Sequence, residues 1–315
     1  MPFLHQSIRD LHWLLAGPPL MSDLAGFDQP PPDWLSAQVA TAEPWLAELD
    51  DNPTELQRFL GAEHLMRMGS FRLGHHAERM LEFFLARRPG GGLMAARREL
   101  MDGARTVGEL DVVFRDPVRG VVHWEVSTKF FLRSEPSARW TAYIGVTSPD
   151  DLQGKLRKVV DHQLPLGRSQ LAADALAVPL GSVTSEALLR GWLFYPATED
   201  WARPSVVPAA AAPGHGRGWW LRHGETEVPA AARSSRFHIL RRPEWLSPVH
   251  LPDDGATVPI AANDLAGRLV RHFRQNHAPV LVAELRRDGD GWWRELARGF
   301  VVHARWPVPA EAPKR

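Results

Sequence analysis

The sequence has no cysteine in its 315 residues, which excludes disulfide bonds and thiolate chemistry. It has no uncharged apolar run of about 18 residues, so we predict no membrane-spanning helix and no membrane partner. Its N-terminus lacks the basic segment and continuous apolar run that are typical of a secretory signal peptide. From these absences we expect a cytoplasmic protein.

Net charge is also lacking, because 37 Lys and Arg residues balance 37 Asp and Glu residues. Such a chain has no global basic surface that would by itself indicate nucleic-acid binding, although a local basic patch is compatible with it. There is no HExxH zinc helix, no GxSxG nucleophile elbow and no Walker A loop. The hydrophobic content of 44% nevertheless suffices for a large core, in one elaborated domain or in two.

The most informative stretch covers residues 108–132 and reads GELDVVFRDPVRGVVHWEVSTKFFL. Two apolar runs, 110–114 and 121–126, flank a turn-like segment at 115–120. The runs are rich in Val, Phe and Trp, and an Asp-Pro pair and a glycine punctuate the break between them. This pattern predicts a β-hairpin.

Charged side chains alternate along both predicted strands. Glu109 and Asp111 share one face of the first strand, and Glu125, Ser127 and Lys129 share one face of the second. A hairpin can bring these faces together, and clustered carboxylates repel one another unless a cationic side chain or a hard metal ion lies between them. The simpler interpretation is a solvated hairpin face with a cross-strand ion pair. The bulky apolar residues on both strands argue against it.

Two helices contribute further candidates. Residues 74–88 are predicted to form a helix in which Glu78 borders the apolar stripe, either as a half-exposed surface residue or as a ligand. A helix predicted over 150–164 carries Lys155 and His162 on one flank. We favour a solvated helix edge for this pair; the alternative is phosphate contact, or a lysine that substitutes for Lys129 at the site.

An Asp on one strand, a Glu on the next and a Lys beyond it resemble the PD-(D/E)XK nuclease superfamily. This resemblance implies an α/β fold with a restriction-endonuclease-like αβββαβ core, in which a mixed sheet is flanked by helices. N-terminal helices and a C-terminal β-rich elaboration would be added to that core.

The chain also resembles a bacterial family, DUF1853, whose function is unknown. The resemblance lies in RDLHWLLAGPPLM, RLGHHAERMLEFFL, ELDVVFRDP, HWEVSTKFFL, DLQGKLRKVVDHQL, RPEWLSP and RGFVV.

The nuclease resemblance implies that Glu78, Asp111 and Glu125 bind Mg²⁺ or Mn²⁺, with the carbonyl of Val126 as a further ligand. Lys129 would be the catalytic lysine, with Lys155 as the second choice; Glu109, Ser127 and His162 are secondary candidates. One departure concerns the lysine: Ser127 holds its usual place, and Lys129 lies about 13 Å along the strand from Glu125. The expected activity is hydrolysis of nucleic-acid phosphodiester bonds. The alternative is a catalytically inactive nuclease-like fold that binds nucleic acid or a protein.

The same resemblance, with the composition, suggests a domain plan. It has an N-terminal helical elaboration (1–70), the nuclease-like core (71–202), a linker-like Pro/Ala/Gly segment (203–218), a C-terminal elaboration packed on the core (219–306) and a disordered tail (307–315). Periodicity predicts further helices at 6–16, 54–68 and 263–276, a strand at 190–196, and a hairpin of 279–287 with 292–302. For residues 93–100, alanine and arginine favour a helix, whereas the implied topology requires a strand, which we predict.

Overall fold

The structure is a computed structural model that describes residues 3–22, 24–147, 150–232, 234–255 and 257–307. It divides into two compact units. The first comprises Phe3–Thr128 and Lys155–Arg190, and the second comprises Lys129–Gly154 and Gly191–Arg315. The predicted boundaries at 70, 202 and 218 stay a prediction. Apart from residue 307, the predicted disordered tail lies outside the described residues.

Helices and strands are both abundant, so the fold is mixed α/β. The α-helices are α1 (Gln6–Ala16), α2 (Pro32–Asp51), α3 (Thr54–Leu60), α4 (Ala62–Arg67), α5 (Leu73–Arg87), α6 (Leu152–Lys158), α7 (Leu164–Gly167), α8 (Gln170–Leu176) and α9 (Ala262–Gln275). The strands are β1 (Leu93–Asp102), β2 (Arg105–Asp116), β3 (Gly120–Arg133), β4 (Tyr143–Gly145), β5 (Val183–Pro196), β6 (Gly216–Arg222), β7 (Arg236–Leu240), β8 (His250–Pro252), β9 (Val280–Arg287) and β10 (Trp292–Val302). Within the described residues, no helix is both long and apolar enough to cross a membrane.

The first unit is organised around the predicted hairpin. Its strands are hydrogen-bonded in the order β1, β2, β3, β5, and the β1–β2 and β2–β3 pairs are antiparallel. Helix α5 packs on β1 and β2, while α7 and α8 pack on β2 and β1. Under α7 and α8, the strand residues Leu100, Leu110 and Val113 form an apolar core with Leu166 and Ala172. The hairpin, the helix at 74–88 and the strand at 93–100 are therefore confirmed.

Two predicted helices need correction. The helix expected over 54–68 is divided into α3 and α4 by Gly61, whose φ of 60° lies in the left-handed region that glycine tolerates best. The helix expected over 150–164 begins at Leu152 and includes a π-helical turn, Val159–Gln163, before it continues as α7. Helix α2 was not predicted, although its proline in the first turn is a common start signal.

The second unit is a mixed sheet with one long helix. Parallel pairing joins β5 to β6 and β6 to β10, and antiparallel pairing continues from β10 to β9 and from β9 to β7. Helix α9 buries Leu265, Leu269 and Phe273 in an apolar core shared with Trp219 and Phe237. The predicted C-terminal helix, the 190–196 strand and the C-terminal hairpin are confirmed. Residues 216–218 of the linker-like segment begin β6.

Candidate functional site

The candidate site lies in the first unit, where β2 and β3 stop pairing. The antiparallel ladder ends with Val112 opposite Trp124, and one step further the same register sets Asp111 opposite Glu125. There the backbone N–H of Val126 donates to Asp111 Oδ2 at 2.8 Å instead of to a strand carbonyl. The Asp111 and Glu125 carboxyl groups are in hydrogen-bonding contact. The hairpin has thus brought together the acids that the sequence analysis singled out.

These acids are buried. The exposed fraction is 9% for Asp111, 2% for Glu125 and 9% for Glu78, which α5 brings within electrostatic reach of Asp111. A solvated hairpin face is therefore wrong for Asp111 and Glu125, and a half-exposed surface position is wrong for Glu78. Glu109 is exposed and lies opposite Glu99 of the neighbouring strand β1.

Burial shifts the protonation of all three carboxyls. It raises the pKa of Glu125 to about 8, and the negative charge of Asp111 adds to the effect. It raises the pKa of Glu78 to about 7, again with a contribution from Asp111. It also raises the pKa of Asp111, although the N–H of Val126 opposes this. Carboxyls that are poorly solvated and close together hold protons unless a cation replaces them.

Lys155 is a cation in contact with one of these acids, Glu125. Its Nζ lies 3.4 Å from Glu125 Oε1 and 3.2 Å from Gln163 Oε1. Its side chain is only 10% exposed, so the solvated helix edge that we favoured is wrong for this residue. His162, by contrast, is exposed, and its ring lies near Gly108 of β2. The π-helical turn contributes Gln163, and such turns are frequent at functional sites.

Lys129, the lysine that the sequence analysis favoured, has a different partner. Its Nζ lies 3.0 Å from Asp150 Oδ2, in an ion pair within the second unit. About a third of its side chain is exposed, at 31%. Ser127, in the usual lysine place, is buried.

One oxygen shows that the acid pair is incomplete. Glu125 Oε2 is buried and has no ordinary hydrogen-bond donor among the described residues. The contact between the Asp111 and Glu125 carboxyls joins two acceptors when both are ionised, so it is favourable only if a proton or a cation lies between them. No group of three or more Asp, Glu, His or Cys side chains in the described part of the chain is arranged to hold a metal ion. Two carboxylates are nevertheless a common protein contribution to Mg²⁺ sites, where water and substrate phosphate complete the shell. The Asp111–Glu125 pair fits that role.

A pH titration of stability tests this assignment. Because the folded-state pKa of Glu125 is about 8 and its ordinary value is 4.5, the unfolded chain releases the proton first as pH rises. The contribution of Glu125 to the free energy of unfolding should be highest below pH 4.5, and it should fall as pH approaches 8. In urea titrations without divalent cations, Glu125→Gln should remove a pH-dependent decrease in the free energy of unfolding on the order of 5 kcal/mol.

Glu109→Gln, at an exposed carboxylate of the same strand pair, is the matched control and should keep the decrease. A parent protein whose unfolding free energy has the same pH profile as that of Glu125→Gln would contradict the raised pKa.

A basic cavity lies in the same unit and is related to Glu78 through Arg97, which lines the cavity and whose charge acts on Glu78. It measures about 530 Å³, and Arg72, Arg79 and Arg97 contribute to its lining. Arg79 donates to the carbonyl of Phe59 and lies over its ring, and Arg97 pairs with Glu82 at 2.7 Å. Histidines also line it: His64, His75 and His76. Burial lowers the pKa of His76 to about 4, so that ring is neutral near pH 7. This cavity was not predicted from the sequence, although the density of Arg and His residues from 72 to 79 was a visible signal.

The fold and the site were compared with known proteins. Residues 9–302 match a family model described as a domain of unknown function, DUF1853. No curated protein and no solved structure gave a match. Because the family model covers far more than half of the 315 residues, this chain belongs to the DUF1853 family.

Proposed function

We propose that this protein is a metal-dependent nuclease of the PD-(D/E)XK type, which hydrolyses phosphodiester bonds of nucleic acid. The observation that carries the proposal is the contact between two buried carboxyls, Asp111 and Glu125, with Lys155 beside them. An Asp on the second strand, a Glu on the third and a lysine at their side form the catalytic set that the resemblance implies. Apart from the three-residue strand β4 between β3 and α6, the element order α5, β1, β2, β3, α6–α8, β5 also agrees with an αβββαβ core.

In this proposal Asp111 and Glu125 would hold Mg²⁺ or Mn²⁺, and Glu78 would add negative charge within electrostatic reach of Asp111. The carbonyl of Val126 stays a predicted ligand. When bound, the ion polarises the phosphate and lowers the pKa of a water molecule. The buried carboxylates become fully ionised only when a cation compensates them, which couples their charge to metal binding.

Lys155 takes the role of the catalytic lysine. Its ammonium group lies on the Glu125 side of the acid pair, held by Glu125 and Gln163. From there it can donate a hydrogen bond to the attacking water or to the negative charge that develops on the phosphate. A lysine on the helix that follows the strands thereby replaces the one missing from position 127.

The basic cavity supplies contacts for the substrate backbone. Guanidinium groups bind phosphate oxygens in a fixed geometry, and Arg72 is exposed at this cavity. Arg97 connects this cavity to the acids, because it lines the cavity and its charge acts on Glu78. In this proposal one phosphate of the substrate occupies the cavity while another phosphate of the same strand lies at the acids. Binding of this kind weakens as salt increases.

Cleavage assays and metal titrations test the proposal together. The parent protein should cleave members of a DNA and RNA oligonucleotide panel with Mg²⁺ or Mn²⁺ and should be inactive with EDTA. Asp111→Asn should weaken Mn²⁺ binding in calorimetry at least tenfold, because one anionic ligand is lost, and should lower cleavage by about 10²–10³-fold.

Asp102→Asn, at an exposed carboxylate at the end of β1, is the matched control and should change neither property. Equal Mn²⁺ affinity in Asp111→Asn and the parent would remove the metal site. An inactive parent that still binds oligonucleotides would favour the second candidate, a non-cleaving binding module. That candidate is supported by Ser127 in the lysine place and by the engagement of Lys129 with Asp150.

A further inference from the structure

A second feature of the first unit is a buried arginine that has no acidic partner among the described residues. Arg190 on β5 is 4% exposed, and burial alone lowers its pKa to about 10. Its Nε donates to the carbonyl of Leu14 at 3.0 Å and its Nη2 to the carbonyl of Leu15 at 3.3 Å. Among the described residues, no carboxylate pairs with it. A buried cation is normally paired, because its desolvation is costly.

Two other buried arginines show the usual arrangement. Arg298 is fully buried and donates to both carboxyl oxygens of Glu295, at 2.6 and 2.8 Å. Arg133 is 1% exposed and is paired with Glu199. Arg190 differs from both because its described acceptors are neutral carbonyls at the end of α1. The negative end of a helix compensates only part of a full charge.

Arg190 has hydrogen-bond donors that its described acceptors leave unused, and it lines a cavity. A guanidinium has five N–H donors. Nη1 of Arg190 makes no hydrogen bond to a described residue, and it is not fully enclosed by protein atoms. Arg190 lines a cavity of about 1040 Å³, beside the end of α1 and the start of α2. The other walls are largely apolar, with Leu15, Pro19, Met21, Phe27, Leu35 and Val39.

Neither of the two acids that line this cavity in the described part of the chain is paired with Arg190. Asp28 lines the cavity, but its carboxylate is paired with Arg168. Glu43 also lines it, and the charge of Glu43 acts on His12. Within the described residues, the cavity therefore combines a cation that has no carboxylate partner with an apolar wall. This combination is the complement of a molecule with one anionic group and an apolar body.

We propose that this cavity binds an amphipathic monocarboxylate, with the carboxylate on Nη1 of Arg190 and an aliphatic chain along the apolar wall. The volume is at the upper end of ordinary small-molecule sites, which run from about 300 to 1,000 Å³. None of the residues that line it belongs to the Asp111–Glu125 site, so the binding is independent of nuclease activity. In the rival interpretation, Arg190 merely caps the carbonyls of α1 and the cavity binds no anion.

Calorimetry and thermal unfolding of the full chain with decanoate, decanamide and acetate distinguish these interpretations. Decanoate should bind and raise the melting temperature. Decanamide, which has the same chain without the charge, should bind at least tenfold more weakly, and acetate should have no effect at equal concentration. Arg190→Gln should remove the preference for decanoate over decanamide, and Arg190→Lys should keep part of it.

A second variant tests the proposal without a substitution at Arg190, in case the Arg190 variants do not fold. Val39→Trp fills the cavity from α2 without changing Arg190 and should abolish decanoate binding while the protein stays folded. Exposed Val270→Trp on α9 is the matched control and should bind decanoate like the parent. Failure of the parent to bind decanoate, equal binding of decanoate and decanamide, or unchanged binding in Val39→Trp would each overturn the proposal.

Discussion

Lys155→Met is expected to lower oligonucleotide cleavage by about 10²–10³-fold, whereas Lys129→Met should stay within about threefold of the parent. The reason is the different partner of each lysine. Lys155 Nζ lies 3.4 Å from Glu125 in a position that is almost inaccessible to water, while Lys129 forms an ion pair with Asp150 that is about one-third exposed. Methionine keeps the apolar stem of lysine in both variants and removes only the charge and the donors.

Single-turnover cleavage with saturating Mn²⁺ measures this effect without interference from product release. Circular dichroism and Mn²⁺ calorimetry establish that both variants are folded and bind the ion. Removing Lys155 also takes a counter-charge from Glu125. Without metal, the free energy of unfolding of Lys155→Met should therefore fall more than that of the parent as pH rises. A fully active Lys155→Met protein, or a loss confined to Lys129→Met, would return the catalytic role to Lys129.

Truncation after residue 202 is expected to abolish cooperative unfolding. In the second unit, residues Trp192–Pro196 of β5 pair with Gly216–Trp220 of β6, so the truncated chain would expose that strand edge. Phe194 would also lose its edge contact with Phe300, whose ring centroid lies 4.7 Å away. The fragment 1–202 should therefore be insoluble or lack fixed packing, with exposed apolar surface that binds dye.

The control for this truncation ends at Pro307. It retains Trp306, whose ring lies 5.0 Å from that of Trp220, and whose carbonyl accepts from Arg222. It should unfold with the same midpoint as the full chain in guanidinium. A sharp unfolding transition in the 1–202 fragment would show that residues 203–315 are dispensable for the fold.

Local patterns predicted much of the secondary structure because they report interactions between near neighbours in the chain. The hairpin of β2 and β3 is determined by alternating apolar residues and by the turn chemistry between them. The period of apolar residues identified α1, α5 and α9. It missed the break at Gly61, because a glycine within a helical pattern is compatible both with continuation and with a left-handed end.

The acids of the candidate site were also visible in the sequence, since alternation assigns Asp111 and Glu125 to particular strand faces. Their burial was not, because the exposure of a strand face depends on which helices cover it. In the folded protein both carboxyls are buried, and Glu78 of α5 lies within electrostatic reach of Asp111. Whether the site binds a metal and cleaves nucleic acid stays a prediction.

The choice between the two lysines depended on tertiary structure alone. Lys129 and Lys155 are 26 residues apart, and the spacing to Glu125 favoured the nearer one. The path of α6, its π-helical turn and the position of Gln163 bring Lys155 to Glu125, while Asp150 engages Lys129. The sequence by itself determined the hairpin, the faces of its acids and the membership in DUF1853. Only the tertiary structure decided which cation meets those acids and left Arg190 buried beside a cavity, because such contacts join residues far apart in the chain.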